Sequence, residues 1–106
     1  MSALYQISFY VPKTHSDKVK TALFDAGAGK LGDYDCCAWQ TLGQGQFKPL
    51  EGSNPFLGKK ETLEIVDEYK VEMMCSKDNL QTAIQALKSS HPYEVPAYSV
   101  IKLEDY

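Results

Sequence analysis

Arginine is absent from this chain of 106 residues: all 11 of its basic side chains are lysine, against 14 acidic ones. Arginine's planar fork is the usual reader of phosphates and base edges, so no nucleic-acid partner is expected. Histidine is scarce, at two, and cysteine is both scarce and odd in number, at three. Cys36 and Cys37 adjoin, Cys75 stands alone, and no CxxC pair occurs, which removes a disulfide framework and a zinc ribbon. No apolar run approaches the roughly 20 residues of a membrane span. The start (Met1-Ser2-Ala3-Leu4-Tyr5-Gln6) also lacks a basic segment leading into an apolar one. A soluble cytoplasmic protein with no membrane contact is the expectation.

What is present is ordinary for a globular chain: 43% apolar, 24% charged and 11% aromatic residues, with a net charge of −3. That is one domain's worth, 1–106, able to bury roughly two-thirds of its unfolded surface. From Leu4 to Val11 apolar and polar residues alternate, placing Tyr5, Ile7, Phe9 and Val11 on one face of a strand closed by Pro12. Thr14 and Asp17 read as a capping box for a helix carrying Val19, Ala22, Leu23 and Ala26, ended by Gly27. Asp35 to Leu42 reads as a second strand, with Cys36 and Cys37 on opposite faces and Trp39 in the core. Gly43 to Gly58, with four glycines and two prolines, then reads as a long loop with at most a short excursion of strand. Thr62 to Cys75 alternates again and exceeds the usual strand length, so it should bend or project. Ser76 caps a second helix with Leu80, Ala83, Ile84 and Leu87, which the segment His91 to Pro96 breaks before a last strand, Ala97 to Leu103.

The order βαββαβ predicts an α+β, ferredoxin-like sandwich: a four-stranded antiparallel sheet with two helices on one face. Tyr10, Val66, Met74, Tyr98 and Val100 are expected on the other face, and that much apolar surface points to burial against another subunit.

Several ordered motifs resemble a known family. Gly27-Ala28-Gly29-Lys30-Leu31-Gly32-Asp33-Tyr34, Cys37, Gly43-Gln44-Gly45-Gln46-Phe47-Lys48-Pro49, Asn54-Pro55 and Gly58 resemble the insert domain of YqfO-like proteins in the NGG-interacting-factor family. His91-Pro92-Tyr93-Glu94-Val95-Pro96-Ala97-Tyr98 matches that domain's closing motif, and its first six residues are also similar to the CutA family. The resemblance implies a stand-alone version of that domain with a CutA/PII-like fold, and hence a homotrimer. It does not bring the full-length family's dinuclear metal site, which is built from histidines and carboxylates in a larger domain. The cysteine- and tryptophan-containing signatures of CutA are also missing, so copper binding is not implied.

Each motif admits a plainer account. Gly27 to Gly32 spells GxGxxG, yet a helix precedes it and a strand follows, the reverse of a dinucleotide fold, so turn chemistry is the better reading. Gly43, Gly45 and Phe47 form either a ligand cradle or a glycine-rich hairpin anchored by its aromatic ring. His91 and Glu94 form either a metal or acid–base pair or a structural helix end in which the dipole favours His91. Two such residues fall short of the three or four ligands zinc takes, which leaves a single-chain metal site unsupported.

The expected function is a non-enzymatic binding or regulatory module, oligomeric, recognising a small molecule or protein partner at subunit clefts. The candidate ligand-binding residues are His91, Tyr93, Glu94, Gly43, Gly45 and Phe47, with no catalytic residue, cofactor or resident metal. The alternatives are a CutA-type divalent metal-binding protein and, behind it, a small enzyme with an intersubunit site.

Overall fold

The computed structural model describes residues 3–106; Met1 and Ser2, part of the start read for a leader, lie outside the described residues. The elements are β1 (Leu4–Pro12), a 3-10 turn (Lys13–His15), α1 (Ser16–Asp25), β2 (Trp39–Phe47), β3 (Glu64–Ser76), α2 (Lys77–Ser90) and β4 (Tyr98–Lys102). All strand pairs are antiparallel, in the order β2-β3-β1-β4, which is the split βαβ arrangement read from the chain order.

The core forms where alternating strand residues meet helical ones. Ile7, Phe9 and Val11 of β1 and Val71, Met73 and Cys75 of β3 are buried against Val19 and Leu23 of α1 and Ala83 and Leu87 of α2. Burial pushes the Cys75 thiol pKa up, so it serves as a small apolar side chain.

The helix starts differ from expectation. Thr14 lies in the 3-10 turn, where its hydroxyl bonds His15 Nδ1 at 2.8 Å, and α1 begins at Ser16 without a side-chain cap, so the capping box is not formed. Ser76 does occupy the cap position of α2, but its side chain makes no capping bond. Gly27 ends α1 at φ +102°, and Gly29 and Gly32 also have positive φ. The GxGxxG string is therefore a chain of turns after a helix, as turn chemistry predicts.

The second strand runs later than the sequence suggests. Asp35 to Ala38 lie outside any strand, Cys36 adopts φ +56°, and pairing starts at Trp39 and continues through Phe47. Glycine deterred a strand assignment there, yet Gly45 suits a strand because the Glu68 carboxylate occupies the space a Cβ would need. Trp39, expected in the core, is 69% exposed, and its indole N–H donates to Thr41 Oγ1 at 3.1 Å.

Register also corrects the reading of the open face. Tyr98 pairs with Phe9 and Val100 with Ile7, so both lie on the helical side, where the Lys88 ammonium sits 5.6 Å from the centre of the Tyr98 ring. The open face carries Gln6, Ser8 and Tyr10 of β1 beside Val66, Glu68, Lys70, Glu72 and Met74 of β3, flanked by Trp39, Thr41, Gly43, Gly45 and Phe47 of β2 and by Ile101 of β4. Tyr10, Val66 and Met74 are there as expected, but charged and polar residues lie among them, so the face is mixed where an apolar one was expected. The β2–β3 hairpin is long, and the molecule is drawn out to 47 × 24 × 24 Å.

Candidate functional site

The site is assembled from three segments that are remote in sequence. β2 supplies Gly43, Gly45 and Phe47; the connection from Lys48 to Leu63 turns back over the open face; and the segment after α2 brings Tyr93, Glu94 and Val95 alongside. Together with Tyr10, Glu68, Lys70 and Glu72 they enclose a cleft of about 710 Å³, within the range of about 300–1,000 Å³ common for small-molecule sites. Five of the six candidate residues line this cleft: Gly43, Gly45, Phe47, Tyr93 and Glu94.

His91 stands behind the cleft and holds its wall. It ends α2, its backbone N–H donating to the Leu87 carbonyl, and its ring is buried. The Nε2–H donates to the Tyr10 carbonyl at 2.6 Å, and Nδ1 accepts the Tyr93 N–H at 3.1 Å. A carbonyl can only accept and a backbone N–H can only donate, so these partners fix the neutral imidazole with its proton on Nε2. Burial lowers the His91 pKa, with nearby His15 adding in the same direction; the bond to Tyr10 and the charge of Glu68 oppose it. The helix dipole favours an imidazolium, so the dipole is not what holds His91; its two hydrogen bonds are. Both ring nitrogens being engaged, ligation of a metal would break one of them.

Tyr93 is placed by His91 and in turn places Glu68. Its hydroxyl donates to Glu68 Oε2 at 2.6 Å, and burial, followed by that bond and the adjacent carboxylate charge, pushes its pKa well above the usual phenol range. Glu68 is 8% exposed, and its carboxylate packs over Gly45. Rings gather around Tyr93: Phe47 at 6.0 Å and 54°, Phe56 at 6.5 Å and 46°, and His91 at 4.9 Å. Phe56 reaches the cleft from the 48–63 connection, and the edge of His15 meets it at 5.2 Å. Glu94, expected to meet a ligand or a neighbour's amides, accepts the Asn54 backbone N–H of its own chain at 3.0 Å and so ties that connection to the wall.

Sequence reasoning missed Glu68, Lys70, Glu72 and Phe56. The signal for Glu68 was a carboxylate on the strand face opposite the core residues; Phe56 stood beside Pro55 in a stretch whose path no local pattern fixes. A second, smaller groove of about 310 Å³ runs past Leu31, Cys37 and Trp39. Among the described residues no three His, Cys, Asp or Glu side chains gather as a metal ion would require, and no helix is long and apolar enough to cross a membrane.

No protein-family model matches the chain. It is 45% identical over 101 residues, 95% of its length, to a Halalkalibacterium halodurans protein named GTP cyclohydrolase 1 type 2 homolog, of which it spans 27%. A solved Bacillus cereus protein related to NIF3 superposes over 98% of the chain and 26% of its own, with a TM-score of 0.83 and 35% identity. CutA from Xylella fastidiosa superposes over 99% of the chain and 88% of its own with a TM-score of 0.71; at 17% identity that likeness concerns the fold alone. The chain thus spans about a quarter of the length of the curated relatives it matches. It is a homologue of one segment of the NIF3-related, YqfO-like proteins named GTP cyclohydrolase 1 type 2 homolog, and it has a CutA-like α+β fold.

Proposed function

We propose that residues 1–106 act as a single non-enzymatic recognition module that binds a small molecule in the cleft over the open sheet face. The observation that carries this reading is the cleft's construction: a wall of three aromatic rings, a floor of paired carboxylate and hydroxyl, and a cover tied down by Glu94. Large apolar rings beside a few fixed polar groups are what small-molecule sites are made of. The polar groups are engaged with one another in positioning roles, which suits binding better than proton transfer. The likeness to a divalent ion tolerance protein of the CutA type does not favour metal binding here, because His91 is engaged at both ring nitrogens. The three free cysteines suit a reducing compartment such as the cytoplasm.

Self-association into a trimer belongs to the same proposal. Leu42 and Ile65, on the helical side of the hairpin beyond the helices, are 54% and 59% exposed, and such surface favours a second copy.

A fragment library screened by thermal shift tests the binding reading. Fragments that raise the melting temperature of the native chain should lose most of that effect with Phe47→Ala. Equal shifts in both proteins would place the binding elsewhere and contradict the proposal.

A further inference from the structure

We propose that the cleft selects organic cations, seating an alkylammonium group against the wall of Phe47, Phe56 and Tyr93 beneath the charge of Glu68, Glu72 and Glu94. This rests on the binding reading above and names the ligand class it would take. Three carboxylates face the cleft against one ammonium, that of Lys70. Lys70 sits on β3 between Glu68 and Glu72 on the same strand face, so its charge is offset from both sides. A phosphate or carboxylate ligand would enter against a net negative wall, and the chain has no arginine to grip it.

The hydrogen-bonding inventory points the same way. The Tyr93 hydroxyl directs its proton to Glu68, and the Ser53 hydroxyl directs its own to the Leu50 carbonyl. Both therefore present only lone pairs to a ligand, as do the ionised carboxylates. Acceptors thus gather around Glu68 and Tyr93, where a donor would be matched, while Lys70 and the Thr41 and Tyr10 hydroxyls are donors elsewhere in the lining. Its rings supply the rest, because the negative face of an aromatic ring attracts a cation within about 6 Å of its centre, and more strongly where water is excluded.

The test is calorimetric titration of the native chain with three probes: choline, its uncharged carbon isostere 3,3-dimethylbutan-1-ol, and GTP as an anion. Choline should bind at least about fivefold tighter than the isostere, and GTP should not compete. Phe47→Leu, which keeps an apolar side chain, and Glu68→Gln should each weaken choline binding severalfold without equalising the pair through unfolding, as circular dichroism checks. Equal binding of choline and isostere, tighter binding of GTP, or no binding of choline overturns the inference. The binding reading itself survives those outcomes if uncharged fragments still occupy the cleft, and it falls with the inference if none does.

Discussion

At the scale of single residues, the site is held by bonds that allow one protonation state. The Tyr93–Glu68 bond ties a phenol to a buried carboxylate, and hydrogen bonds to charged groups are worth roughly 1.5–3 kcal/mol. Tyr93→Phe should cost about that much in denaturant unfolding while keeping the ring wall; a loss near zero would show that Glu68 finds water in its place. His91 gives a pH dependence whose sign follows from its lowered pKa. The unfolded chain's histidine takes a proton near pH 6.5 and the folded one only below that, so the stability is complete above about pH 6.5 and drains as pH falls. The melting temperature should therefore fall between about pH 7.5 and about pH 5.5, and His91→Gln, which cannot titrate, should flatten that slope. A slope that survives the substitution would assign it to other groups. None of these pairings was legible in the sequence, because Tyr10, Glu68 and His91 meet only once the strands are in register.

At the scale of elements, the readable parts were those with a strong period. The alternation in β1 and β3 and the helical spacing in α2 located the core residues, since burial on one face leaves a direct mark on the sequence. β2 was misplaced because its glycines read as turn formers, whereas Gly45 sits in a strand where the Glu68 carboxylate of the neighbouring strand fills the space a Cβ would need. Tyr98 and Val100 were assigned to the wrong face for a related reason: β4 is five residues long, and a one-residue slip turns every side chain over. The connection between β2 and β3 is held to the wall by the ring contacts of Phe56 and by one exposed hydrogen bond, from Asn54 N–H to Glu94. Removing the charge with Glu94→Gln should weaken it by roughly 0.5–1 kcal/mol and speed amide exchange at Asn54 about two- to fivefold, with core amides unchanged. Unchanged exchange at Asn54 would mean that the rings alone hold the cover.

At the scale of the whole molecule, the topology was legible because chain order and two periods suffice to choose it. The cleft was legible only in part: five candidate residues line it, but Glu68, Lys70, Glu72 and Phe56 were not read, and the sequence did not show that these residues enclose one volume above the sheet. The open face is polar at its centre, so the case for self-association moves to the exposed apolar residues of the projecting hairpin. Light scattering at micromolar concentration should return about three chain masses, and a monomer would contradict the trimer. The central claim is that the cleft over the open face binds a small molecule, and amide NMR of the labelled chain titrated with screened fragments tests it most directly. The shifts should concentrate at Gly43, Gly45, Phe47, Phe56, Tyr93 and Glu94, and shifts confined to the groove of Leu31, Cys37 and Trp39 would contradict binding in the cleft.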